Sequence, residues 1–285
     1  MQKIPFYKVS PSGNMTILLD NKGLIPSQKL SLANYALNDQ HLGGEQLGFI
    51  DIENGILEMS GGEFCANATR SLALVMALNS GYTGDNNETW QGTLQCSGYS
   101  QELGVLVKKQ GDSHNVSLYM PIDNTIEIKE LSLGFYLVSL PGIKHLLIDA
   151  EKYPFPNGDW RDTVRKLEQI FNLEELPAIG YIWWKLFEED KSEQEIVAEH
   201  ICHMEMHPII RVLEPLTECY EHACGSGTLA LALYLQKTLQ RNNFSMHQPG
   251  GALNISFSME DDKIAILSGK VCLIAQGELF YKDKV

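Results

Sequence analysis

The sequence predicts an α+β fold of two similar halves, each strand-rich and carrying one principal helix. Two observations predict it. Residues 65–74 (CANATRSLAL) and 224–233 (CGSGTLALAL) are near-copies, identical at five of ten positions and 159 residues apart in a chain of 285. Self-similarity at that spacing reads as a duplicated half, not a short solenoid repeat. Second, the stretches between and around the copies alternate in the manner of strands, punctuated by glycine and proline.

The elements follow in order. Residues 6–19 read as a strand broken by a turn at Pro11–Gly13 and ending in the apolar run Ile17–Leu19. Residues 28–39 read as a helix. Gly43–Gly44 introduces Glu45, Gln46 and a strand at Leu47–Ile52, and residues 55–59 form another. The polar turn Ser60–Glu63 leads to Cys65. Leu72, Val75, Met76 and Asn79 then fall at helical spacing, with Ser80–Gly81 as the stop.

Residues 92–120 alternate like strands, and a domain boundary is expected at 121–125. Strands follow at 132–139 and 144–149, and a helix at 159–171 opened by Asp159. Residues 178–187, with Trp183 and Trp184, read as a buried strand, residues 188–199 as a charged surface excursion, and 208–213 as a strand. A helix is expected at 225–239, a strand at Ala252–Phe257, and a closing hairpin around Gly269 at 263–281.

Composition bounds the partners. A hydrophobic content of 44% and a charged content of 20% are those of a globular protein, and the net charge of −14 repels nucleic acid and anionic membranes. No stretch reaches membrane-span length, and the opening MQKIPFYKVSPSGN lacks the apolar core of a signal peptide. A cytoplasmic protein with six thiols, not disulfides, is therefore expected. Neither a nucleic-acid nor a membrane partner is expected.

In each copy a cysteine precedes small residues and an apolar run, as befits a thiol at the mouth of a helix. Backbone amides there present positive potential, which lowers a thiol pKa and holds carboxylates. Two such helix mouths converging on one amino acid would grip its α-carboxylate. One thiolate would take the Cα proton while the opposite thiol delivers one, without a cofactor. A lone buried cysteine is more often a core residue, and it is the pairing that lifts Cys65 and Cys224 above that reading.

Four blocks carry a likeness to a known family: PSGNMTILL (11–19), GGEQLGFI (43–50), LEMSGGEFCANATR (57–70), and ECYEHACGSGT (218–228) with HQPGG (247–251). Their order resembles the diaminopimelate epimerase-like, cofactor-independent racemases. Within it, the wording is closer to the histidine racemases of opine-metallophore (staphylopine-type) biosynthesis. The resemblance implies two pseudo-symmetric domains, each a curled antiparallel-rich sheet around a central helix. One would span residues 1–120 plus 268–285 and the other 121–267. It implies Cys65 and Cys224 as the acid/base pair, and Glu45 as a nearby carboxylate that binds the substrate's ammonium or imidazole or tunes the thiols. It places Asn14 and Asn67 on the substrate, with amides of Ala66, Gly225, Ser226 and Gly227. The implied partner is a small amino acid, with a homodimer as the candidate assembly; no cofactor or metal is implied.

Departures from the epimerase pattern favour a substrate without a distal carboxylate. Ile143 and Ala178 align with distal-binding asparagines, and Glu214 is followed by Pro215 where the epimerases carry arginine. Alanine replaces two glycines after Cys65 and resists positive φ. The alternatives are diaminopimelate epimerase, a phenazine-type isomerase with a carboxylate base, and a non-catalytic amino-acid binder. His200, Cys202, His203 and His207 form a cluster in which His203 and His207, spaced i, i+4, could bind a metal on a helix; a solvated edge beside the charged run 188–199 is the favoured reading. His222 reads as a substrate contact or, in preference, as a cap ahead of the second helix, Cys219 as a strand residue, and Cys96, Cys202 and Cys272 as packing residues.

Overall fold

Alternating apolar side chains carry Gln2–Pro11 (β1) and Thr16–Asp20 (β2) into an antiparallel pair. The turn between them runs through Ser12 and Gly13, at φ 52° and 87°. In this computed structural model, which describes residues 2–122, 126–187, 201–258 and 263–282, the chain then builds one pattern twice.

The helix Pro26–Leu37 (α1) crosses to Gln46–Asp51 (β3), parallel to β2, and Ile56–Met59 (β4) returns antiparallel. A second crossover, Ala66–Asn79 (α2), reaches Thr89–Cys96 (β5), parallel to β4. Leu103–Gln110 (β6) and Ser113–Pro121 (β7) follow antiparallel. After Glu127–Ser132 (β8), the strand Phe135–Leu140 (β9) starts the pattern again by pairing antiparallel with Ile143–Asp149 (β10). Helix Trp160–Phe171 (α3), capped by the Asp159 side chain, crosses to Ala178–Leu186 (β11), parallel to β10. Cys202–Val212 (β12) returns antiparallel, extended by the short strand Thr217–Tyr220 (β13). Helix Gly225–Leu239 (α4) crosses to Asn243–Gln248 (β14), parallel to β12, and Gly251–Phe257 (β15) and Ile264–Tyr281 (β16) follow antiparallel. Cys65 stands where β4 hands over to α2, and Cys224 where β12 and β13 hand over to α4.

Strand β16 pairs with β7 and β15 along its first part and with β1 along its second. It thereby closes β1–β7 into a ring whose strands surround α2. Helices α2 and α4 are buried almost all round. Their alanine, glycine and serine residues let the sheets approach closely, and Leu72 and Leu231 anchor them at 0% exposure. Truncating either leucine to alanine costs about 2–5 kcal/mol at such sites.

Three expectations need correction. The segment 263–281 is no hairpin: β16 runs straight through Gly269, whose missing side chain makes room for Leu253, Ser12 and Arg70. A Cβ there would lie 2.6 Å from Leu253 Cδ2, so the glycine serves close approach rather than a turn. His203 and His207 lie on strand β12, not on a helix. Four residues along a strand separate them by about 13 Å, too far for one metal ion. Strands β8 and β14 have no counterpart in the sequence reading, because EIKELS and NFSMHQ lack a clear apolar alternation. Positions 123–125, inside the expected domain boundary, and the charged excursion 188–199 with His200 lie outside the described residues. Among the described residues no helix is long and apolar enough to cross a membrane.

Candidate active site

The two copied segments fold alike down to single atoms. Cys65 and Cys224 are the N-cap residues of α2 and α4, with φ/ψ of −130°/103° and −126°/111°. The Cys65 thiol accepts from Ala68 N at 3.4 Å, and the Cys224 thiol from Gly227 N at 3.3 Å. Thr69 and Thr228 each donate a hydroxyl to the carbonyl of their own cysteine, at 2.7 and 2.8 Å. The shared Cys and Thr are thus capping chemistry, and the shared Leu-Ala-Leu is core.

The helix mouths face one another. A Cβ on Gly225 would lie 2.8 Å from Ala66 Cβ and 3.1 Å from Asn67 Oδ1. Alanine at 66 and 68 is accommodated because α2 starts there with ordinary negative φ. Between the mouths lies a narrow cleft with a cavity of about 30 Å³, lined by Cys65, Cys224, Ser226 and three acids, Glu45, Glu63 and Glu221. Its apolar wall is Ile143, Ile210 and Val212, and no lysine or arginine is among the described residues lining it. Ala178, the other aligned position, is buried in β11.

A chain of hydrogen bonds links the Cys65 thiol to the residue that precedes Cys224. Cys65 Sγ donates to Gln46 Oε1 (2.9 Å), Gln46 Nε2 to Thr16 Oγ1 (2.6 Å), and Thr16 Oγ1 to Asn14 Oδ1 (3.3 Å). Asn14 Nδ2 and Asn67 Nδ2 both donate to the carbonyl of Ala223, at 3.0 and 2.7 Å. Cys224 N donates to Gln248 Oε1 (2.7 Å), whose Nε2 reaches Thr228 Oγ1 (3.0 Å). The structure therefore engages the two asparagines, expected on the substrate, with the residue that precedes Cys224.

Glu45 is held across the cleft. Its carboxylate accepts from His222 Nδ1 (2.7 Å), His222 N (3.0 Å) and Met15 N (3.3 Å). His222 is thus not a helix cap; Cys224 fills that position, and His222 ties Glu45 to the segment ahead of α4.

The thiol electrostatics reverse the simple helix-dipole expectation. Burial, then the nearby Glu221 charge, pushes both thiols well above the ordinary value and outweighs the amide bonds that lower them. Glu221 is itself pushed up to about 8 by burial and by Glu45, against hydrogen bonds with Cys224 and Asn14. Burial likewise lifts Glu63 to about 7, and its Oε2 has no protein partner. At neutral pH the resting cysteines are therefore thiols. Once deprotonated, each is a strong base, suited to a weakly acidic C–H.

Sequence reasoning passed over Gln46, Glu63, Gln248 and Glu221 as individual site residues, although all four stand inside the quoted blocks. It passed over His145 for want of any local signal. His145 on β10 is fully buried, kept neutral at a pKa of about 3 by burial, and hydrogen-bonded through Nε2 to Ser226 Oγ (3.1 Å). Ser226 Oγ in turn lies 3.6 Å from Cys224 Sγ. The other histidines are engaged elsewhere. His203 Nδ1 contacts His247 Nε2 (2.9 Å), and His207 contacts Tyr220 (2.6 Å) and Glu205 (2.8 Å). No group of three metal-ligating side chains occurs among the described residues. Cys219 lies on β13 as expected and borders the cleft, Cys96 is buried, and Cys202 and Cys272 are half-buried.

Comparison with known proteins converges on one group. The family profile described as the histidine racemase CntK N-terminal domain matches residues 3–280. A histidine racemase of Fusobacterium nucleatum subsp. nucleatum (strain ATCC 23726) is 29% identical over 98% of both chains. A histidine racemase of Staphylococcus aureus (strain Mu50) is 26% identical, again over 98% of both. The fold is shared with a hydroxyproline epimerase from Agrobacterium vitis, crystallised with trans-4-hydroxy-L-proline. Its TM-score is 0.64 at 10% identity, covering 99% of this chain and 94% of that one.

Proposed function

This chain belongs to the histidine racemase family, and from that membership we propose that it interconverts L- and D-histidine by proton exchange between Cys65 and Cys224. The observation that carries the proposal is the pair of N-cap thiols on facing helix mouths, in a cleft lined by three acids and no described lysine or arginine. The α-carboxylate rests on amides of the two helix starts: Ala66 and Asn67 on one side, Gly225, Ser226 and Gly227 on the other. One cysteine, as thiolate, takes the Cα proton and becomes a thiol. The opposite thiol gives its proton to the other face and becomes the thiolate. Atoms and charge balance, and the next turnover runs in reverse. Charge developing on the α-carboxylate is met by fixed amide dipoles, and no cofactor enters the cycle. Asn14, Asn67 and Glu45 hold the two sides in register around the substrate.

The apolar wall Ile143–Ile210–Val212 and the acidic lining favour a neutral or cationic side chain over one bearing a second carboxylate. Imidazole fits that description and diaminopimelate does not. The same reading divides the chain into 1–120 plus 268–285 and 121–267, working in the cytoplasm as a homodimer. It makes D-histidine the product passed to a condensing enzyme of opine-metallophore assembly. The test is a racemisation screen with L-His, L-Glu, L-Lys and diaminopimelate, followed by polarimetry and by deuterium uptake at Cα. Activity on histidine is expected. Activity confined to another amino acid, or none on the panel, overturns the assignment.

A further inference from the structure

Arg70 lies on α2, five residues beyond Cys65, and is 0% exposed. Its Nη2 donates to Asn67 Oδ1 at 2.8 Å, while Nε and Nη1 are buried without a protein partner. No carboxylate forms an ion pair with it among the described residues. A buried, unpaired guanidinium is costly, and burial pulls its pKa down to about 10. The ionisable group that pulls the other way is Cys65. Gly269 of β16 makes room for it, since a Cβ there would stand 3.1 Å from Nη1. Through Asn67, whose Nδ2 reaches the carbonyl of Ala223, the same guanidinium is two hydrogen bonds from the residue that precedes Cys224.

We propose that Arg70 is a positioning residue of the proton transfer: it offsets the charge of the Cys65 thiolate from within α2, and its bond to Asn67 fixes the Ala223 bridge that seats Cys224. The proposal rests on the two-thiol reading above. The groups facing Cys65 from other elements are Glu63 ahead of α2, Glu221 ahead of α4 and Cys96 on β5, and each opposes the thiolate. Gln46, on β3, accepts the Cys65 proton side at 2.9 Å and carries no charge. Arg70, buried on the same helix, is a cation whose charge couples to Cys65 against these groups.

The experiment measures the pH dependence of Cys65 alkylation by iodoacetamide, resolved by peptide mass spectrometry, beside kcat and KM for histidine. In Arg70→Met the alkylation midpoint moves up by about one pH unit, with kcat reduced and the circular dichroism of the fold unchanged. Arg70→Lys keeps the charge but not the guanidinium fork, so the midpoint stays near that of the parent protein while kcat falls. An unchanged midpoint in Arg70→Met, or in Arg70→Gln should the methionine variant not fold, overturns the electrostatic role. An unchanged kcat in Arg70→Lys overturns the positioning role. Alkylation needs no turnover, so failure of the histidine assignment leaves this test readable, and failure of this test leaves racemisation untouched.

Discussion

Gly225 and Ala66 meet across the two helix mouths so closely that a Cβ on Gly225 would lie 2.8 Å from that of Ala66. Intrinsic helix propensity favours alanine over glycine by about 1 kcal/mol in a helix interior. The contact predicts the opposite sign. Gly225→Ala should destabilise by about 1–3 kcal/mol through overpacking. It should also lower racemisation more than stability alone accounts for, because the mouths are driven apart. Urea unfolding beside kcat/KM checks this; a stabilised, fully active variant would refute the facing geometry.

The proposed mechanism gives the two thiols separate faces, so their serine variants should fail differently. Cys65→Ser and Cys224→Ser should each lose racemisation by about 100- to 10,000-fold, the usual weight of a general acid or base. Each should retain slow Cα deuterium exchange into one enantiomer only, and the two variants into opposite enantiomers. Proton NMR in D₂O reads this directly and assigns each thiol to its face. Exchange of both enantiomers by a single variant would remove the two-base mechanism.

Glu221 raises both thiols and is hydrogen-bonded with Cys224. In the proposed mechanism a thiolate is the base, so activity should rise with pH along a limb set by thiol deprotonation. Glu221→Gln removes the like charge and should move that limb to lower pH by about one unit. The pH profile of kcat/KM is the measurement, and a limb that stays or moves upward contradicts it.

Glu63 bears on stability. Its folded pKa of about 7 stands above the ordinary glutamate value of 4.5. The folded state therefore holds this proton longer than the unfolded one. The associated stability is present below pH 4.5 and is lost as pH rises through about 7. The loss amounts to about 3 kcal/mol by linkage. Glu63→Gln should be relatively more stable at pH 8 than at pH 4, by urea titration at both. A difference that does not vary with pH would show that Glu63 does not titrate this way.

How much was legible in the sequence differs by element. The copied segments gave the two caps, because an N-cap with its following small residues and apolar run is a local pattern. Asp159 opening α3 and Ser80 closing α2 were legible for the same reason. Gly269 was misread, since a glycine that admits a neighbouring Leu253 and Arg70 looks the same in sequence as one that turns the chain. His203 and His207 were spaced for a helix, yet strand pairing with β11 and β14 claims that stretch.

By itself the sequence determined the duplicated architecture, the two cysteines that open the helices and the family, because each rests on residues adjacent in the chain. Tertiary structure alone decided the thiols' surroundings. Glu221, Gln46, Gln248, His145 and Arg70 reach the site from different strands and helices, and their effect depends on burial and distance. The sign of the thiol shift shows the difference. A helix mouth read locally lowers a pKa, but burial beside carboxyls raises it, since desolvation acts on the whole site.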